Sequence, residues 1–291
     1  MWGKAFKLFL LRHTFILHCI IQDCQGGNTT FFKIGFFKGV SISPTNTLRS
    51  SKPLKIKTFA AKLMVFRKVN LMLKLYYTPI SMNSRRVWVA LLEKQIAFEP
   101  IALNLNGDQF KPDFLAINPF HHIPVLVDED LTLVESLAIL DYLEAKYPTP
   151  ALLPTEAKAL GIVRMVEMLT LNELLPAMFA LTRQMLGVAG DTAQKLEQSK
   201  QQIVTLLRFF EGLLADDRTY FAGEHFTFAE VVAGTAVPSL GMFGLSFDEY
   251  PKLQQWADRL AGRSSWQQTE VSQAEIVAKI PIIKDLLVAR L

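Results

Sequence analysis

The sequence predicts a two-part fold, α/β followed by all-α: a small domain with a mixed four-stranded sheet over residues 72–147, then a helical domain over residues 156–291. Three observations predict it. Between Leu73 and Lys146, runs with a two-residue period alternate with helical runs, in the order strand–helix–strand–helix–strand–strand–helix. Such alternation argues a mixed sheet with helices on both faces. A proline-rich linker, residues 148–155, follows, and everything beyond it reads as helix.

Leu73, Leu75 and Tyr77 alternate with Lys74, Tyr76 and Thr78, which is the pattern of a half-buried strand. The stretch from Ser84 to Lys94 is helical, with Val87, Ala90 and Leu91 on one face and no Gly or Pro inside. A second strand runs from Phe98 to Leu103. Its Pro100 lacks an N–H for the ladder and so assigns it to a sheet edge. Lys111 to Asn118 is a short helix closed by Pro119. Val125–Val127 and Leu131–Val134 form a hairpin around Asp128-Glu129-Asp130, and Ser136 to Lys146 is a helix whose Ile139, Leu140 and Leu143 share a face. After the linker, Glu156 to Leu186 is one long amphipathic pattern that Pro176 kinks or breaks. Thr192 to Ala215 is another long helix. Thr227 to Leu240 opens with a capping box, Thr227 accepting from early helical amides and Glu230 reaching back, with Phe226 stapling onto Val231. Further helices start from Lys252 and Ser265.

The formal net charge of +4 averages two unlike parts. Residues 1–71 hold twelve Lys and Arg against the single acid Asp23, a charge of +11; the remaining 19 basic and 26 acidic residues give −7. A basic arm suggests nucleic acid or an anionic surface, but the acidic body shows no basic stripe, and neither nucleic acid nor membrane is expected as a partner. The apolar run from Phe6 to Ile21 is interrupted by Lys7, Arg12, His13 and His18 and is too broken for a span. The acid-poor stretch from Ser41 to Phe59 has the character of a transit peptide. The favoured reading is that residues 1–71 are no part of the native fold; a transit peptide and a functional arm stay open. Both cysteines, Cys19 and Cys24, lie in this arm. The body therefore has no disulfide, no protein thiolate and no Cys-based metal site.

Three segments narrow the reading. LKLYYTPISMNSRRVWVALLEK, residues 73–94, opens the α/β domain; residues 107–148 carry Asn118-Pro119, the IPVL of Ile123–Leu126 and the ESLAILDYL of Glu135–Leu143; AGEHFTFAEVVAG, residues 222–234, carries the capping box. In this order and spacing they resemble the glutathione transferases, most nearly the serine-type theta- and phi-like classes. The resemblance implies a thioredoxin-like N-terminal domain that binds glutathione as co-substrate, an all-helical domain that forms the second-substrate pocket, a homodimer and a cytoplasmic enzyme. An organelle is the alternative location if residues 1–71 are a transit peptide.

The resemblance also implies roles. Ser81, in the turn before the first helix, matches the hydroxyl that donates to the glutathione sulfur. A free thiol has a pKa of about 8.5 and is mostly protonated at neutral pH. A donor aimed at sulfur beside the positive end of a helix favours the thiolate, which alone attacks. The competing reading of Ser81 is a plain turn residue. Ser84 is a rival hydroxyl better placed as a helix cap, and Tyr77 a rival that core packing explains more simply. Ile123-Pro124 matches a cis-proline turn that presents the Ile123 main chain to the cysteinyl backbone of glutathione as one more strand partner. Ser136 is expected to cap its helix, whose free amides suit the γ-glutamyl carboxylate, with Glu135 holding the γ-glutamyl ammonium or positioning the chain around it. His122 replaces the Lys or Gln that many relatives aim at the glycyl carboxylate; His121 and Gln109 are weaker candidates. A His pair without nearby acids or Cys is poor evidence for a metal, and none is expected. Arg85 and Arg86 add positive potential near the sulfur or are exposed helix charges, the second reading being favoured for at least one. Met165, Met168, Phe179, Met185 and Met242 suit a permissive apolar pocket, but at helical spacing Met and Phe are more often core, and none is assigned.

The leading function is conjugation of glutathione to apolar electrophiles, as in detoxification, or peroxide reduction by the same thiolate. Glutathione-dependent isomerisation or dehalogenation is a second enzymatic reading. A non-catalytic ligand-binding or docking module on the same fold is the third. The body's lack of cysteine argues against the thiol-transferase branch.

Overall fold

The computed structural model describes residues 72–288, and the readings made on residues 1–71 lie outside them. The sheet has the order β2-β1-β3-β4. Strand β1 (Leu73–Tyr77) runs parallel to β2 (Phe98–Ala102) and antiparallel to β3 (Val125–Asp128), which pairs antiparallel with β4 (Leu131–Val134). Pro100 lies opposite Leu75 on the edge strand β2, where its missing N–H costs no ladder bond.

Helix α1 (Met82–Glu93) makes the crossover between the parallel strands. Leu73, Leu75 and Tyr77 are buried on one face of β1, and the Tyr77 ring meets Trp88 of α1 edge-on at 5.0 Å. Tyr76, on the opposite face, meets Phe114 of the short helix α2 (Pro112–Ile117) at 6.0 Å. Helices thus cover both faces, as the alternation predicts. Helix α3 (Ser136–Lys146) buries Ile139, Leu140 and Leu143. The linker is held from the α/β side: the buried Lys94 ammonium donates to the carbonyls of Tyr147 and Pro150, both at 2.8 Å, and pairs with Glu144 at 2.6 Å. Glu144 in turn accepts from the N–H groups of Leu152 and Leu153.

The long Glu156–Leu186 pattern is one continuous helical run in three pieces: α4 (Ala157–Leu169), a π-helical turn at Thr170–Leu174, and α5 (Leu175–Met185). Pro176 has no N–H to give back along this run, and the π turn just before it accommodates the missing bond and the ring without a break. By length and composition Ala157–Met185 passes as a membrane span. Val163, Val166, Leu174, Ala177 and Leu181 are nonetheless buried within the protein, so its apolarity is that of a core helix. Helix α6 (Ala193–Leu213) starts at Thr192, whose hydroxyl accepts from the Lys195 N–H.

The capping box is present: Glu230 accepts from the Thr227 N–H at 2.9 Å and Thr227 Oγ1 accepts from the Ala229 N–H at 3.2 Å. The helix it opens is shorter than expected. Helix α7 (Phe228–Gly234) stops before Pro238, and Val237–Phe243 continues as a 3-10 helix, because proline removes a helical donor and restricts the residue before it. Helices α8 (Pro251–Ala261), α9 (Ser264–Gln268) and α10 (Gln273–Val288) complete the described chain. The helical part is tied to α1 by Arg263, which donates to Glu93 at 2.8 and 2.6 Å.

Candidate active site

Ser81 is the N-cap of α1, not merely a turn residue, and this corrects the expectation that Ser84 holds that place. The Ser84 N–H donates to Ser81 Oγ at 3.3 Å, while the Ser84 hydroxyl is buried and accepts from the Thr78 N–H at 3.4 Å. A capping serine uses an oxygen lone pair, so its own O–H proton remains to be donated outward. No acidic residue occupies the first turn of α1, so the positive end of this helix is not offset by its own side chains.

Ser81 lines a cavity of about 660 Å³ between the α/β domain and the helices. Met82, Met178, Phe179, Met242 and Trp266 supply much of its apolar wall, and Ile283 and Leu287 close it from α10. Of the five Met and Phe positions singled out from sequence, Phe179 and Met242 reach the cavity. Met168 and Met185 are instead exposed. The rival phenol does not reach it: Tyr77 is buried against Trp88, and burial pushes its pKa up, away from thiol chemistry.

Neither arginine of α1 is an exposed helix charge, which corrects that expectation. Arg85 is half-buried and lines the cavity one turn beyond Ser81; its Nε donates to Thr269 Oγ1 at 3.1 Å and its Nη2 to the Trp266 carbonyl at 3.4 Å. Burial pulls its pKa below the ordinary value, with the Glu270 charge opposing. Arg86 is fully buried and donates from Nη1 to Ser136 Oγ at 3.2 Å. Burial brings its pKa down to about 10, with the Glu167 charge opposing. Sequence reasoning missed this role because the spacing of Val87, Ala90 and Leu91 marks a single buried face.

The pairing of Val125 with Val134 sets the Ile123-Pro124 turn beside Glu135 and Ser136 at the start of α3. The Ile123-Pro124 bond is cis and leads straight into β3. Among the described residues, no hydrogen bond ends on the Ile123 N–H or carbonyl. Ser136 is not the helix cap: Glu135 occupies that position with no side-chain capping bond, and Ser136 is the first helical residue, buried, with its oxygen accepting from Arg86. Glu135 is exposed and has φ +68°, a backbone region that a residue with a Cβ enters at a cost and that concentrates at functional sites. His122 is exposed, and its carbonyl accepts from the buried Asn118 amide at 2.8 Å, which fixes the loop carrying it. His121 is exposed with φ +49°; its ring lies tilted to Phe110 at 5.0 Å and edge-on to His122 at 5.4 Å. Gln109 points inward: it is buried and donates to the Leu105 carbonyl at 3.3 Å, leaving its Oε1 without a partner. Among the described residues no cluster of three His, Cys, Asp or Glu is arranged to hold a metal ion.

Two family models match the chain: glutathione S-transferase, N-terminal domain, over residues 75–151, and glutathione S-transferase, C-terminal domain, over residues 159–264. A curated relative, glutathione S-transferase 3 of Zea mays, is 34% identical over 224 residues, covering 72% of this chain and 95% of the relative. A probable maleylacetoacetate isomerase of Vibrio cholerae is 30% identical over 197 residues, covering 63% of this chain and 88% of that protein. Among solved structures, a glutathione transferase homologue from Sulfitobacter with bound glutathione superposes with a TM-score of 0.59 at 27% identity, covering 68% of this chain and 96% of the other.

Proposed function

Because the chain belongs to the glutathione S-transferase family, we propose that it activates bound glutathione at Ser81 and transfers it to an apolar electrophile held in the adjoining cavity. Glutathione is its co-substrate. The observation that carries the assignment of Ser81 is the donor arithmetic at the helix start: Ser81 Oγ accepts from the Ser84 N–H, so its proton is left for the sulfur. The γ-glutamyl carboxylate is assigned to Ser136 and the α3 terminus, the cysteinyl backbone to Ile123, the γ-glutamyl ammonium to Glu135, and the glycyl carboxylate to His122. Gln109, turned inward, contributes through the loop rather than by direct contact.

The likeness to a probable maleylacetoacetate isomerase supports a second enzymatic reading, in which the same thiolate adds to a double bond and leaves again. The homodimer belongs to this proposal too. Phe110 and Phe120, 52% and 63% exposed beside the glutathione loop, offer an apolar surface to a second copy. A cytoplasmic location and a role in detoxification follow the family reading and are proposed with it. Retention on immobilised glutathione, followed by a conjugation assay over a panel of halides, enones and peroxides, tests the function. Retention with no turnover on any of them would leave a binding module, and no retention would sink the proposal.

A further inference from the structure

Arg86 presents an energetic puzzle. Its side chain is 0% exposed, yet it makes one hydrogen bond, to Ser136 Oγ; Nε and Nη2 are buried without partners among the described residues. Glu167 on α4 is likewise 0% exposed, and its Oε1 has no partner. The Glu167 charge favours the charged guanidinium, but no ion pair joins the two; Glu167 Oε2 pairs instead with Arg164 at 2.9 Å. Burying a charge so poorly paired is costly, and an apolar side chain of similar volume is often neutral or stabilising in such a place. Stability therefore does not explain an arginine here.

Its one bond points to what does. Ser136 is the first residue of α3, at the site assigned to the γ-glutamyl carboxylate, and its oxygen is occupied as an acceptor by Arg86. A serine hydroxyl has a single proton, so an oxygen that accepts from a cation on its inner side presents that proton on the other. A charged donor also polarises the hydroxyl and strengthens the bond it gives onward. The same helix is held a second time from α4, where Arg164 donates to Asp141 at 2.5 Å. The start of α3 is thus set by an arginine from α1, and its body by an arginine from α4.

We infer that Arg86 is a positioning residue for glutathione: acting through Ser136, it orients and polarises the hydroxyl that binds the γ-glutamyl carboxylate. The inference rests on the glutathione reading of the site. Its logic parallels Ser81, where the inner donor is the Ser84 N–H and the outward acceptor is sulfur.

The test is a double-mutant cycle on the full chain, read by calorimetric glutathione affinity and by KM against kcat. Arg86→Met and Ser136→Ala should each weaken glutathione binding about tenfold, the scale of one hydrogen bond to a charged group. The loss should appear in KM for glutathione and not in kcat. Because Arg86 acts through Ser136, the double variant should be no weaker than Ser136→Ala. Additive losses, or a lowered melting temperature with unchanged glutathione affinity, would show a structural arginine only. Should Arg86→Met not fold, Arg86→Lys carries the same test: it keeps a positive charge near Glu167 but lacks the rigid fork that reaches Ser136. Its affinity loss should vanish in a Ser136→Ala background. Wild-type protein that fails to bind glutathione removes the premise itself, a result distinct from variants that bind as wild type does.

Discussion

Replacing Ser81 by alanine removes two interactions with different readouts. The first is the hydrogen bond we propose from Oγ to the sulfur of bound glutathione. A bond to a charged group is worth about 1.5–3 kcal/mol, so the pKa of bound glutathione should rise by about one to two units. The second is the N-cap, the Ser84 N–H donating to Oγ at 3.3 Å. Losing a capping serine costs about 1 kcal/mol, which in a fold of this size lowers the melting temperature by about 2–4 °C. The assay is the ultraviolet thiolate band of bound glutathione against pH, beside the conjugation rate and a thermal melt. Ser81→Thr keeps both the hydroxyl and the capping oxygen and should restore both readouts. Tyr77→Phe should change neither thiolate nor rate, because the phenol is buried against Trp88. If Tyr77→Phe abolishes the thiolate and Ser81→Ala does not, the serine assignment is wrong. If neither substitution moves it, the helix terminus or Arg85 makes the thiolate.

Three further outcomes are expected. His122 is exposed on a loop that the Asn118 amide fixes, so His122→Ala should weaken glutathione binding several-fold by removing one donor to the glycyl carboxylate, with kcat little changed; an unchanged affinity would remove His122 as the glycyl partner. At Gly234 an added Cβ would meet Leu260 Cδ1 at 2.5 Å and Trp266 Cζ2 at 2.8 Å, so Gly234→Ala should destabilise by about 1–3 kcal/mol through overpacking. Chemical denaturation with a change below about 0.5 kcal/mol would refute that contact. Burial pushes the Glu93 carboxyl up, but hydrogen bonds from Arg263 and Ser265 and the Arg263 charge outweigh it and hold the pKa below the ordinary value. A depressed carboxyl contributes stability above its unfolded value, roughly 4.3, and loses it as pH falls through the folded one. Glu93→Gln should therefore cost about 1–3 kcal/mol at neutral pH, with the gap to wild type closing below pH 4 in acid melts. A gap that stays constant into acid would assign the cost to packing.

Much of this molecule is legible because its local patterns agree with its tertiary burial. The two-residue period of Leu73, Leu75 and Tyr77, the edge position implied by Pro100 and the Thr227–Glu230 capping box each have a mechanism confined to a few residues. The serine at the turn and the cis-proline loop are readable for the same reason, since short-range chemistry at an element's end does not depend on what packs beyond it.

What escaped reading depends on a second layer. Helix α1 is covered by the sheet on one side and touches the helical domain on others, through Arg85 to α9 and through Arg263 to Glu93. A helix buried on more than one face has no free polar side. Two successive arginines, at least one of which the sequence reads as solvated, are therefore placed, one against the cavity and one inside the protein. Similarly, the π turn at Thr170–Leu174 inserts extra backbone per turn and shifts the face of every residue after it. Extrapolating one helical period from Glu156 to Leu186 cannot say which methionines reach the cavity. Met178 does, while Met168 before the turn and Met185 near the end face solvent. In both places the missing information is which neighbour a side chain meets. That is why the two serines could be nominated from sequence, whereas the arginine that donates to one of them at 3.2 Å and the main-chain amide that donates to the other at 3.3 Å required the fold.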